Sequence, residues 1–382
     1  LMLEGRRSSA AGAALANGMT IDSVDAHDGY RLAKGHAGAG VFPAALAAGE
    51  LLDWSGTEFL TALVVGYEVA LRAAQALHEL ASDYHSSGAW VALGSAAVMA
   101  RALGFDEGTT RHALGIAEYH GPRSEMMRCI DHPTMLKDGS GWGSMTGVMA
   151  AELAAAGFTG APAITVEQEN ERAIWEDLGS AWRVRELYFK PYPCCRWAHP
   201  AIDAALTLVS EHSISASEIS AMEIYTFEEA AHLDHARPQN TEQAQYSLPF
   251  PVAAAIIHGN LNPSHVQHPG LIDERILELA EKVDIQVDAD LDARFPAEAL
   301  ARMRLNTSDG RTLESGITAA RGGSENPMDD DELIEKFQAA VSGSIAQERA
   351  QAIQSACWRC AQMESIHELV ELLADPISEP EA

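Results

Sequence analysis

Positive charge is scarce in this sequence. Against 55 aspartates and glutamates stand 26 lysines and arginines, a net charge of −29 over 382 residues. So acidic a chain repels phosphate backbones and anionic lipid surfaces, which argues against nucleic acid and membrane as partners. An anionic small molecule would need a locally basic pocket inside an acidic shell, so the few cations are informative. Five are lysines: Lys34, Lys137, Lys190, Lys282 and Lys336. The first three lie in glycine-, proline- or histidine-rich segments rather than on the solvent faces of helices.

Cysteine is sparse as well, with Cys129, Cys194, Cys195, Cys357 and Cys360. An odd, scattered set reads as reduced thiols. "CWRC" (357–360) has a redox or zinc spacing but falls in a helical pattern without a second pair, so packing is its expected use. No stretch of about 18 apolar residues is present, so no membrane span is expected. The opening "LMLEGRRSSAAGAALANG" lacks the apolar core of a secretory signal, and a cytoplasmic location is the expectation. A start at Leu1 reads as a piece that begins inside a longer protein. Gly35, Gly38 and Gly40 do not make the dinucleotide-binding GxGxxG. The GK[ST] ending of a phosphate loop and the GxSxG elbow of serine hydrolases are missing from the segments that would need them.

What is present begins with helix. Apolar residues recur at helical spacing over 59–77, 88–104 and 143–160, and each run is rich in alanine and glycine, which lets helix axes approach closely. The character changes after "KPYPCC": a helix at about 200–212, a strand over 218–227, a helix within 243–259, then strands over 282–290 and 301–322, the last folded as a hairpin at Asp309-Gly310. Helical periodicity returns at 329–341. The expected fold is mostly α with an α+β second domain. A helical bundle is built from both chain ends (1–188 and 326–382), and an α+β lid domain (189–325) is inserted between them. The acidic tail "DPISEPEA" reads as disordered.

Four segments concentrate chemistry-bearing groups. "DSVDAHDGYRLAKGHAGAGVFP" (22–43) holds Asp25, His27, Asp28 and His36 before a helix expected to start near Pro43. It suits an anion at a helix start, a metal, or simply a capped turn. "DYHSSG" (83–88) puts His85 before a helix with Ser86 and Ser87 as capping candidates, so His85 is either a cap or an acid–base group. "GPRSEMMRCIDHPTMLKDGSG" (121–141) brings Arg123, Arg128, His132 and Lys137 ahead of a glycine-rich helix entry, a pattern suited to gripping carboxylates. "KPYPCCRWAHP" (190–200) sets Lys190 among prolines and apolar groups, which predicts a lowered pKa and use as a base or anion clamp. A nucleophilic cysteine there would want a partner such as His199, and lysine is the better candidate.

Taken in order, "VDAHD…KGHAGAGVFPAALAAGE", "YHSSGAWVALGSAAVMARALG", "LKDGSGWGSMTGVMAAELAAAGFTGAPA", "FKPYPCCRWAHPAIDA" and "TEQAQYSLPFPVAAAIIHG" resemble the MmgE/PrpD family over essentially the whole chain. That family includes 2-methylcitrate dehydratase, cis-aconitate decarboxylase and iminodisuccinate epimerase. The resemblance implies a cleft between bundle and lid, no metal or organic cofactor, a homodimer, and catalytic residues at Asp25, His36, His85, Lys137 and Lys190. Arg123, Arg128, His132 and Arg196 are the expected carboxylate-binding residues. Three departures stand out: Ala37 where proline is common, Gly29 or Tyr30 in place of a hydroxyl residue of the decarboxylase branch, and Cys195 near the position of that branch's histidine. The last two count against decarboxylation. The resemblance also implies helices upstream of Leu1.

The three chemistries share the handling of a proton or electron density on the carbon beside a carboxylate. Positive charge is needed there to hold the enolate-like state. The expectation is therefore a cofactor-independent lyase, a dehydratase acting on a small di- or tricarboxylate. An epimerase is the runner-up, and a non-catalytic paralogue is the alternative from another class. Lys137 and Lys190 are expected to supply charge, His36 and His85 acid–base function, and Asp25 orientation.

Overall fold

The computed structural model describes residues 1–377; residues 378–382, most of the acidic tail, lie outside it. Helices α1 (Ala10–Ser23), α2 (Gly38–Leu52), α3 (Gly56–Leu80), α4 (Gly88–Ala102) and α5 (Glu107–His120) form one bundle with the Ser140–Ala155 helix. Its core is alanine-rich, and glycine makes it tight. A Cβ at Gly147 would collide with the Ala92 carbonyl and lie 2.6 Å from the Ser95 Cβ, so α4 and the Ser140–Ala155 helix pack at backbone contact. α3 is 25 residues long and apolar enough by composition to span a membrane. It nevertheless buries the Glu68–Arg72 pair at 3.2 Å, and Arg72 also reaches Asp177 and the Ala181 carbonyl. That burial of a paired charge belongs to a bundle helix.

The second core is built on a mixed sheet in which β4 (Val283–Val287), β3 (Ile219–Thr226), β5 (Leu300–Thr307) and β6 (Thr312–Glu314) lie side by side in that order, with Thr318–Ala319 also pairing β5. β3 runs parallel to β4 and antiparallel to β5, with Met222 opposite Leu305 and Ile224 opposite Met303. β5 turns into β6 at Asp309-Gly310, where Gly310 takes φ +90° and the expected hairpin closes. Helix His199–His212 covers the sheet with Ile202 and Leu208, and helix Pro249–His258 packs on that helix with Phe250 and Val252 in the same core. Beyond it the chain returns to the bundle. Ala356, Cys360, Met363, Ile366 and Leu369 join the first core, and the Ile366 amide donates to the Trp54 carbonyl at 2.8 Å. The fold class matches the sequence-based expectation: a helical domain and an α+β domain. The CxxC cysteines sit in helical turns at the C-terminal end, and all five thiols are free.

Two local expectations are corrected. α2 starts at Gly38 rather than Pro43, because the Ala37 carbonyl already accepts from Gly40 and Val41. Pro43 sits inside the helix, where it lacks the amide that would answer the Ala39 carbonyl. Ser87 does not cap α4; its hydroxyl turns to Asp138 instead.

Candidate active site

The site is assembled by short elements between the two cores. α1 ends at Ser23, and the chain then turns sharply through Asp25, whose φ of 54° is left-handed. The two-residue strand β1 (Asp28–Gly29) pairs antiparallel with β2 (Tyr188–Phe189), Asp28 opposite Phe189. That register carries the next residue, Lys190, over the Asp25 turn. Its ammonium donates to Asp25 Oδ1 at 2.7 Å, and both side chains are essentially shut off from water, at 0% and 2% exposure.

His36 lies just before α2. Its amide donates to the Ser87 hydroxyl at 2.9 Å, and its Nδ1 lies 2.6 Å from the Asp28 carbonyl. A carbonyl only accepts, so Nδ1 carries the proton and Nε2 keeps its lone pair. Nε2 lies 3.9 Å from Asp138 Oδ2. The His27 ring packs on His36 with centroids 4.3 Å apart, and its Nε2 lies 3.2 Å from Asp22 Oδ1. Lys137, also left-handed at φ 48°, precedes the Ser140–Ala155 helix; its ammonium donates to the Gln245 carboxamide and lies 5.1 Å from the centre of the Tyr246 ring. Gln245 donates in turn to the Ser23 carbonyl at 3.1 Å, closing a bridge between the domains.

Burial and proximity set the charge states. Burial alone would raise the Asp25 pKa, but Lys190 and then Lys137 outweigh it and hold the carboxyl well below its usual range. Burial likewise works against the Lys190 ammonium, and Asp25 more than restores it, so its pKa lies above that of an ordinary lysine. This corrects the sequence-based expectation of a lowered pKa: Lys190 is a fixed cation, not a base. Burial, followed by the Lys190 charge, pushes His27 down to about 3 and His36 well below the usual imidazole value, so both rings are neutral at pH 7. Burial pushes Asp22 and Asp138 in the opposite direction, each helped by repulsion from the neighbouring aspartates. The cluster thus holds two ammonium ions, a firm carboxylate, a neutral imidazole base and carboxyl groups inclined to keep a proton. Environments that push acids and bases apart in this way are characteristic of proton-transfer sites.

The cluster opens through His36 onto a cleft of about 370 Å³, lined among others by Lys34, Tyr84, Tyr188, Cys195, Arg196 and Trp197. Arg196 packs over the Tyr188 ring, with its guanidinium carbon 4.4 Å from the ring centre, and donates to the carbonyls of Arg321 and Ala320. Burial pushes the Cys195 thiol up to about 12 and raises Cys194 well above the ordinary thiol value, so neither offers a thiolate. His199 is fully buried against the Cys194 carbonyl and pairs with no thiol.

Several expected site residues lie elsewhere. His85 is half-buried, with Nδ1 at 2.8 Å from the Asp83 carbonyl, and does not line the cleft. Arg123, Arg128 and His132 are exposed and also absent from the cleft wall, because only the end of their segment, from Lys137 on, dives inward. Conversely, Asp22, His27, Ser87, Asp138, Gln245 and Tyr246 enter the cluster. The sequence marked His27 only as one member of a metal alternative. Donor atoms of Asp25, His27 and His36 do lie within 4.8 Å of one another. Yet Lys190 already occupies Asp25, and a dication would meet two ammonium groups, so these residues fit an organic anion better than a metal.

The match of this architecture to known proteins is broad. Family models for the MmgE/PrpD N-terminal and C-terminal domains match residues 1–172 and 192–360, and the chain belongs to the MmgE/PrpD family. Among curated proteins, it is similar to a cis-aconitate decarboxylase-like protein of Aspergillus oryzae, 24% identical over 417 residues that cover 97% of this chain and 83% of that one. It is also similar to the cis-aconitate decarboxylase of Homo sapiens, 24% identical with 97% and 80% covered. The cis-aconitate decarboxylase of Aspergillus terreus is 22% identical, with 98% and 84% covered.

Proposed function

We propose that this protein is a cofactor-independent lyase acting on a small di- or tricarboxylate, with the reaction starting at the carbon beside a carboxylate. The observation that carries the reading is the neutral His36 imidazole at the cleft, backed by the buried Lys190–Asp25 pair. His36 Nε2 is the base for the carbon-bound proton. The Lys190 and Lys137 ammonium groups stabilise the enediolate-like charge that builds on the adjacent carboxylate. Asp25 keeps Lys190 charged, and Gln245 holds Lys137 in place. Asp138 in its acid form supplies a proton to the departing group.

A base and an acid together suit dehydration, and we favour a hydro-lyase of the 2-methylcitrate dehydratase type. Two features support this over decarboxylation. The Tyr188 ring packs where a side chain at position 29 would start, so Gly29 leaves no place for a hydroxyl residue. Cys195, a neutral thiol, stands at the cleft near the position of the decarboxylase branch's histidine. Decarboxylation is the second reading, favoured by the names of the similar curated proteins.

Incubation with 2-methylcitrate, citrate and cis-aconitate in deuterated water, followed by NMR and by carbon dioxide release, tests the proposal. Loss of water with deuterium incorporation supports the hydro-lyase, and carbon dioxide without dehydration supports the second reading. Exchange alone points to an epimerase. No change in any acid refutes catalysis on this class. The homodimer expected from the resemblance has support in the exposed Trp142, Met149 and Leu153 along one face of the Ser140–Ala155 helix; light scattering tests it.

A further inference from the structure

Lys34 lines the cleft two residues before His36, yet its ammonium joins none of the bonded networks around it. Its backbone is closely held. Its φ is 51°, its amide donates to the Arg31 carbonyl at 3.0 Å, its carbonyl accepts from the Tyr84 hydroxyl, and Tyr30 and Gly35 bridge across it. A side chain other than glycine keeps this left-handed conformation only where the surroundings over-determine it, and such positions cluster at ligand clamps. The ammonium has no such restraint. It lies 5.0 Å from the centre of the Tyr84 ring and forms no hydrogen bond or ion pair.

The two arginines of the cleft wall are engaged: Arg196 is held by two carbonyls, and Arg31 faces Glu325 at 3.8 Å. His36 is neutral and tied to the Asp28 carbonyl. Among the described cleft-lining residues, Lys34 therefore offers the one cationic group with no direct hydrogen bond or ion pair; the Glu229 carboxylate acts on it only from a distance. It is half-buried, in a chain with 55 acidic residues available to pair with it. A surface lysine of ordinary kind would be solvated and free in backbone; this one has a fixed backbone, an aromatic wall and an open side facing the cleft.

We propose that Lys34 is a specificity-determining clamp for a carboxylate that the reaction leaves untouched, so that the site prefers a tricarboxylate over a dicarboxylate. This deepens the polycarboxylate reading above and rests on it. Lys137 and Lys190 serve the reacting end, while Lys34 grips the far group through a charge-assisted hydrogen bond.

Calorimetric binding of two non-reacting acids, propane-1,2,3-tricarboxylate and propane-1,3-dicarboxylate, tests the clamp. The unsubstituted protein should favour the tricarboxylate. Lys34→Met should weaken the tricarboxylate by about 10- to 100-fold and the dicarboxylate by less than about threefold, and Lys34→Arg should retain most of the affinity. Equal loss for both acids, no loss for either, no binding to the unsubstituted protein, or an arginine variant as weak as the methionine one would each overturn the assignment. Lack of proton exchange with this binding pattern intact would leave the clamp standing without the lyase. Exchange with Lys34→Met indistinguishable from the parent would leave the lyase without the clamp.

Discussion

Lys190→Met removes one charge from a pair whose partners are 2.7 Å apart and almost wholly out of water. Methionine preserves most of the volume, so the change is chiefly electrostatic. Asp25 is left buried, with Lys137 as its remaining strong cationic neighbour. Breaking a buried ion pair from one side costs about 3–5 kcal/mol, because the surviving charge keeps its desolvation penalty and loses its partner. Asp25→Asn is the mirror case, with a buried ammonium left over. The signs confirm that the whole effect is visible at pH 7. Asp25 is depressed from 3.8, so its contribution is present above that value and is lost only as pH falls below it. Lys190 is raised from 10.5, so its contribution is present below that value and is lost only as pH rises beyond it. The double variant Lys190→Met/Asp25→Asn carries neither charge and should recover most of the lost stability while lacking all proton exchange. Denaturant unfolding of the four proteins at pH 7 gives the coupling directly. Single-variant losses below about 1 kcal/mol, or a double variant as unstable as the sum of the two, would refute the account of this pair.

The same cluster makes a pH prediction. His27 and His36 are depressed from 6.5, so their contribution to stability is present above that value and is lost as pH falls. Asp22 and Asp138 are raised from 3.8, so the folded protein holds extra protons there and gains stability as pH falls toward that value. Between about pH 4.5 and 6 the two effects oppose each other. In Asp22→Asn/Asp138→Asn the histidine contribution should stand alone, as a fall in stability on acidification approaching about 1.4 kcal/mol per pH unit per histidine and steeper than in the parent, measured by urea unfolding. An unchanged slope would contradict the assigned charge states. Gly147→Val should destabilise the bundle by roughly 1–3 kcal/mol or more in thermal unfolding, since its Cβ has no room beside Ser95 and the Ala92 carbonyl. Cys194→Ala and Arg123→Ala should both retain most turnover in the NMR assay, because one buries an inert thiol and the other sits on the surface.

Much of the architecture was legible in the chain. Helical periodicity located α3, α4 and the Ser140–Ala155 helix within a few residues, and the Asp309-Gly310 turn marked the hairpin. Those features are local: spacing, turn chemistry and caps act over a handful of residues. The scarcity of lysine likewise directed attention to Lys34, Lys137 and Lys190, and all three lie in the cluster or on the cleft wall.

Charge states and membership of the site were a different matter. The apolar neighbours of Lys190 in sequence suggested a lowered pKa, but Asp25, 165 positions away, sets it through a direct bond. Gln245 reaches Lys137 across the domain boundary, and Asp138 meets Ser87 across 51 residues. Conversely, Arg123, Arg128 and His132 share a segment with Lys137 and still face solvent. Sequence thus determined which segments are helical, which bend, and where chemistry-bearing groups are concentrated. Which of those groups meet, and which proton each one keeps, was decided by the tertiary fold alone, because Coulomb energy and desolvation depend on distance through space and not along the chain.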